Sequence, residues 1–112
     1  MKKIEAIVRP DKLEDVKDAL VAINIRGISV TQIVGCGVQK GWTEIYRGNE
    51  YQLNFRSKVK IEIVTDDSRL EEVIGVIIDS ARTGEIGDGK IFVSDISDVI
   101  RIRTGERGNV AL

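Results

Sequence analysis

The 112-residue sequence has no histidine, one cysteine, one proline and only five aromatic residues. Without histidine, the usual zinc sites and Ser-His-Asp triads lose their ligands and their base. A lone Cys36 cannot close an intrachain disulfide; it reads most simply as a small buried hydrophobe, and a reduced, cytosolic setting is expected. Charge of one sign is also missing: 17 basic residues face 18 acidic ones for a net charge of −1, whereas an indiscriminate nucleic-acid binder would be more basic. No window approaches the ~20 apolar residues of a membrane span. Met1-Lys2-Lys3 runs straight into an alternating segment without the apolar stretch of a secretory signal. A chain of this length fits one domain over residues 1–112, burying roughly 65% of its unfolded surface.

Glycine is not scarce, and its placement carries the first chemical signal. Thr83-Gly84-Glu85-Ile86-Gly87-Asp88-Gly89-Lys90 sets three glycines close together before the apolar run Ile91-Phe92-Val93. Glycines let backbone N–H groups turn toward a ligand and approach it closely, and a lysine adds a point charge suited to phosphate. Gly84 to Lys90 spells G-x-x-x-x-G-K, the opening of a P-loop, but Ile91 stands where that motif needs a Mg²⁺-binding Ser or Thr. The loop, over about 82–90, also leads into a strand rather than a helix, so it reads as a phosphate cradle on a different scaffold.

Lys2 to Val8 alternates like a strand; after Pro10, Leu13, Val16, Ala19, Leu20 and Ile23 recur at helical spacing. Asp11 with Glu14 three residues on predicts an N-cap and capping box, and Gly27 closes the unit before a second strand from about Ile28 to Gly35. The pattern then repeats. Lys3-Ile4-Glu5 returns as Lys60-Ile61-Glu62, Leu13-Glu14 as Leu70-Glu71, Val16 as Val73 and Gly27 as Gly84, at one offset of 57 (60 − 3). Two β-α-β halves predict an α+β, ferredoxin-like β-α-β-β-α-β arrangement, with an antiparallel sheet and both helices on one face.

Residues 37–57 form a connector without apolar periodicity, read as a long exposed loop after the second strand, with a hairpin of Thr43–Tyr46 against Tyr51–Phe55 as the alternative. It holds Trp42, Tyr46, Arg47 and Tyr51, beside Glu44: aromatics next to arginine, the composition of a docking surface, or of side chains folded back on the body. At about 100–112, Ile100-Arg101-Ile102-Arg103 predicts a strand with both isoleucines packed inward and both arginines on the other face. There the arginines would grip phosphate oxygens, or serve as solvated edge charges. Three cations and a glycine cradle suit a triphosphate.

In Tyr46-Arg47-Gly48-Asn49-Glu50-Tyr51, Lys58-Val59-Lys60-Ile61-Glu62, Thr83 to Val93, and Arg101-Ile102-Arg103-Thr104-Gly105-Glu106, the chain resembles the PII nitrogen-regulatory signalling proteins over nearly its whole length. That resemblance implies a homotrimer with a nucleotide site in each of three clefts between subunits, ATP/ADP sensing, 2-oxoglutarate binding and a long loop that docks on targets. It places Gly87, Asp88, Gly89 and Lys90 at the phosphates, with Arg101 and Arg103 closing from the far strand. Gly35, Gly37, Val38 and Gln39 would line the loop base; Ser29 and the backbone near Val64 would hold adenine beside Ile7, with Glu62 near the ribose. Gln39 would give an oxygen to Mg²⁺, and 2-oxoglutarate would meet Lys58, Arg9 and the backbone around Lys40 and Gly41. A hard Mg²⁺ accepts such oxygen ligands in a histidine-free site.

The chain departs from the family pattern in Ser29 for a common Thr, Val38 for a frequent Arg, Arg56 where an apolar residue is expected, and the unusual Trp42. Tyr51 matches the tyrosine that some relatives carry modified by uridylylation or adenylylation. The resemblance implies a cytoplasmic switch, reaching a membrane only through an ammonium-channel partner, or acting on enzymes or regulators of glutamine synthesis. The competing reading, a small phosphoryl-transfer enzyme or nucleotidase, needs a base near the cradle, where Asp88 alone offers itself. An RNA module of this fold would need aromatics on its central strand, and Val59-Lys60-Ile61-Glu62-Ile63-Val64 has none.

Overall fold

The computed structural model describes the backbone of residues 1–40 and 51–112, and side chains outside 36–54. Strand β1 (Lys2–Val8) buries alternate residues: Ile4, Ala6 and Val8 point into the core while Lys3, Glu5 and Ile7 face the other way. Pro10 then opens a 3₁₀ turn, Pro10–Lys12, and α1 (Leu13–Ala22) follows with Val16 and Leu20 buried. Asp11, expected as the N-cap, lies within that turn, and no side chain caps either start. The proline begins the turn a residue early, so the carboxylate lands in the first turn, where it still meets the positive end of the helix dipole. In the second half the cap is made, by Asp66, which accepts from the Ser68 N–H at 2.9 Å.

After β2 (Ser29–Lys40) and β3 (Tyr51–Thr65) come α2 (Leu70–Ala81) and β4 (Lys90–Asp95). The sheet is antiparallel in the order β2-β3-β1-β4. Val16 and Leu20 of α1 and Val73 and Ile77 of α2 pack on Ile4, Ala6, Val59, Ile61 and Ile63, so both helices cover one face. Each fully buried aliphatic side chain stabilises by about 1.5–3 kcal/mol. This is the ferredoxin-like α+β arrangement the repeat predicts. The offset of 57 holds at element bounds: turn Pro10–Lys12 maps onto Asp67–Arg69, and Leu13 onto Leu70. It lapses from the helix ends onward, α1 stopping at Ala22 while α2 runs on to Ala81, and then where the second half interposes the glycine loop before β4.

Two expectations are corrected. The β2–β3 ladder keeps one-for-one register from Ser29↔Glu62 to Lys40↔Tyr51, so Tyr51–Phe55 pair with Cys36–Lys40 rather than with Thr43–Tyr46. An unbroken ladder cannot shift six residues without a bulge. β2 therefore continues past Gly35 into the connector; Gly41, Trp42, Thr43–Tyr46 and Arg47 lie outside the described residues.

The C-terminal strand is the second. Ile100 forms only an isolated bridge with Arg107, and the chain turns at once, the Gly105 N–H donating to the Arg101 carbonyl at 2.7 Å. Gly105 and Gly108, at φ +73° and +75°, make that turn accessible where a side chain would strain it. Ile102 is 100% exposed and Ile100 50%, so the isoleucines do not pack inward in this chain.

Candidate functional site

The glycine loop between α2 and β4 is organised around one carboxylate. Asp88 Oδ2 accepts from the backbone N–H groups of Thr83 and Gly84, both at 2.9 Å. Its Oδ1 accepts from the Thr83 hydroxyl and from Arg9 Nε, the latter at 3.0 Å. The Thr83 hydroxyl bond above all, with the backbone and arginine donors, holds the Asp88 carboxyl well below the usual carboxylate range. Gly84, Gly87 and Gly89 all adopt positive φ, +90°, +102° and +104°, which lets the chain double back around that carboxylate. At Gly89 a Cβ would stand 1.7 Å from the Ile7 carbonyl oxygen, so β1 and the loop touch backbone to backbone.

Two further cations close on the loop from the sheet. Arg9, just past β1, donates from Nη2 to the Ile86 carbonyl at 2.9 Å, and Lys58 Nζ on β3 donates to the Gly87 carbonyl. Burial, then the neighbouring Arg9 and Arg56 charges, push the Lys58 ammonium pKa down. Gly35, on the adjacent strand, leaves room for the Lys58 stem: a Cβ there would meet its Cγ at 3.4 Å. Lys90 opens β4, exposed and directly opposite Ile7. The structure thus gathers Arg9, Lys58, Gly87, Asp88, Gly89, Lys90 and Ile7 at one end of the sheet. A cavity of about 390 Å³ opens beside them between α2 and β4, lined by Ile74, Ile78, Ile91 and Val93 and reaching Gly89 and Lys90.

Other expected residues lie apart. Ser29 and Glu62 face each other on one rung, with Glu5 next to Glu62. Val64 pairs with Lys3, four residues down β1 from Ile7, roughly 13 Å at strand rise. Glu5 and Glu62, equivalent in the repeat, are engaged by lysines: Lys3 lies 2.8 Å from Glu5 and 3.8 Å from Glu62, and Lys60 3.3 Å from Glu62. Gly37, Val38, Gln39 and Lys40 lie on β2 with their register fixed but their side chains outside the described set. Arg101 is held in the C-terminal turn by Glu106 at 2.9 Å and the Val110 carbonyl at 3.0 Å, and Arg103 is exposed.

The Asp88 carboxylate faces its four donors rather than an anion, which leaves its backbone N–H as the group it can offer to a phosphate. In the sequence Thr83 marks only the edge of the loop; its place five residues before Asp88 is the signal of their contact. Among the described residues no cluster of three or more Asp, Glu or Cys could hold a metal. What the arrangement can do is bind anions: exposed Lys90, partly buried Lys58 and Arg9, and glycine amides, with a carboxylate turned inward to hold the loop.

Known proteins resemble the chain over nearly its whole length. The family model described as "Nitrogen regulatory protein P-II" matches residues 1–106. The P-II protein of Azospirillum brasilense is 56% identical over 112 residues, the whole of both chains. Among solved structures, Bacillus subtilis GlnK in its complex with ATP superposes with a TM-score of 0.88 at 40% identity, covering 99% of this chain and 96% of that one. PII of Arabidopsis thaliana bound to citrate superposes at 0.81 with 49% identity, covering 99% and 91%. No helix among the described residues is long and apolar enough to cross a membrane.

Proposed function

Because the chain belongs to the nitrogen regulatory protein P-II family, we propose that it is a signal-transduction regulator that senses ATP and ADP together with 2-oxoglutarate. The observation that carries this reading is the convergence of Lys90, Lys58 and Arg9 on one glycine loop held in shape by Asp88. A relative solved with ATP and another with a polycarboxylate, citrate, are similar over almost the whole chain, which supports both ligand classes.

In this reading the amides of Gly87 to Lys90 and the Lys90 ammonium take the nucleotide phosphates. Lys58 and Arg9 receive the carboxylates of 2-oxoglutarate, with backbone at Lys40 and Gly41. Gln39 would hold Mg²⁺ through an oxygen, and the ion would supply positive charge for the phosphates and the keto acid. Val64 sits roughly 13 Å down the sheet from Ile7, the rung of Ser29 and Glu62 about half that distance, and Arg101 is engaged by its own tail. Family membership supports a homotrimer in which each cleft would take Gly35 to Gln39 and the loop from one subunit and Ser29, Glu62, Val64, Arg101 and Arg103 from the next. Ligand state then selects the conformation of the connector bearing Trp42, Tyr46, Arg47 and Tyr51, and its affinity for a target carries the signal. Tyr51 is the candidate for modification. The setting is cytoplasmic, and the targets are an ammonium channel or the machinery of glutamine synthesis.

The same geometry weighs against a phosphoryl-transfer enzyme. Asp88, the carboxylate within the Gly87 to Lys90 cradle, accepts four hydrogen bonds and is held ionised far below neutral pH, so it has little basicity to offer. The test is calorimetric titration of 2-oxoglutarate with Mg²⁺, once with saturating ATP and once with ADP. Binding that requires ATP is expected. No nucleotide binding at all would overturn the reading, and sustained turnover of ATP would move it to the enzyme class.

A further inference from the structure

We propose that Thr83 is a positioning residue: its hydroxyl fixes the Asp88 carboxylate, and through it both the shape of the glycine loop and the placement of Arg9. The inference deepens the reading of this loop as the nucleotide site and rests on it for its functional readout. Three residues at positive φ within six positions give the loop wide conformational freedom, so an anion cradle made of its amides needs an internal anchor. Asp88 is that anchor, but a carboxylate on a short side chain rotates unless something holds it. Thr83 is bonded to it twice, by its N–H to Oδ2 at 2.9 Å and by its hydroxyl to Oδ1. The same hydroxyl oxygen accepts from the Glu85 N–H at 3.1 Å, closing a local turn at the start of the loop.

With both Asp88 oxygens committed, Oδ1 is aimed at Arg9 Nε at 3.0 Å, and Arg9 in turn reaches the Ile86 carbonyl at 2.9 Å. Thr83, Asp88 and Arg9 therefore form one chain of contacts from the end of α2 across the loop to the end of β1. Thr83 is itself exposed and packs into no core, so its hydroxyl, not its bulk, is what the arrangement uses. A serine keeps the hydroxyl; a valine keeps the shape and loses it.

The experiment compares Thr83→Val and Thr83→Ser with the parent chain, using Mg-ATP as the probe in calorimetry. Amide hydrogen exchange at Gly84 and the Arg9 Nε–H resonance serve as readouts that need no ligand. Thr83→Val is expected to weaken ATP roughly tenfold, the loss of about two hydrogen bonds, to speed Gly84 exchange and to lose the protected Arg9 signal. Thr83→Ser is expected to stay within about twofold of the parent in ATP affinity and to keep both signals. Equal behaviour of the valine variant and the parent would overturn the proposal, as would equal losses in both variants. If the parent fails to bind ATP, the nucleotide reading falls, and the exchange and Arg9 signals alone decide whether Thr83 anchors the loop.

Discussion

Glycines at nominally similar positions in the loop have very different tolerance for a side chain. Gly84→Ala keeps open space around the new Cβ but must hold φ +90°, and is expected to lower stability by about 1 kcal/mol in urea denaturation. Gly89→Ala adds a Cβ at 1.7 Å from the Ile7 carbonyl, backbone that cannot yield, and is expected to lose at least about 3 kcal/mol or to expel the loop from β1. Asp88 gives a pH-dependent counterpart. Its folded pKa lies below the ordinary value of 3.8, so its contribution is complete above that value and is lost as pH falls beneath it. Thermal unfolding of Asp88→Asn against the parent should show a gap that is constant from pH 7 to 5 and narrows toward pH 3. That glycine and charge were both needed here was legible in the sequence. The inward turn of Asp88 was not, because G-D-G reads the same whether the carboxylate faces a ligand or its own loop.

Helices, strands and turns follow the repeat closely, and the places where they do not are where function enters. Gly27 and Gly84 occupy one repeat position, yet Gly27 has open space around it and no positive φ, while Gly84 has φ +90°. Gly27→Ala is expected to leave stability within about 0.5 kcal/mol, in contrast to its equivalent; parallel urea titrations of the two variants check it. In the shared core, Ile77→Ala removes most of a side chain only 1% exposed between α2 and the sheet and should lose about 3 kcal/mol without altering the secondary structure seen by circular dichroism. Element types were readable because periodicity and an ungapped offset agreed. The C-terminal turn misleads for a stated reason: Ile100 to Arg103 alternates as a strand does, but Gly105 permits a reversal that hydrogen bonds at Arg101 then fix. Likewise Asp11 falls inside the 3₁₀ turn that Pro10 opens one residue early, a competition between two correct local rules.

At the scale of the molecule, one face of the sheet is covered by helices and the other bears Lys3, Glu5, Lys60 and Glu62 in a connected set of ion pairs, with Phe92 55% exposed beside them. Exposed Phe92, Val93, Ile100 and Ile102 leave apolar surface that association would cover. Sedimentation equilibrium is expected to report three copies of the chain, and Arg101→Ala to leave that assembly intact while weakening ATP about tenfold, as the proposed placement of Arg101 at a neighbour's phosphate site requires. A monomer that still binds ATP tightly would contradict this. Subunit borders are not written in a periodicity, so the sequence pattern alone does not tell which charges would serve a neighbour.

The contact between Gly89 and Ile7 reaches beyond the folded chain to the gene. Every base change in the first or second position of a glycine codon yields either a stop or a residue with a Cβ, and at this position any Cβ collides with the Ile7 carbonyl. Only third-base changes are silent here. Codon 89 is thus expected to drift in its wobble base alone, and in a saturation-mutagenesis library selected for folding it should return a single amino acid.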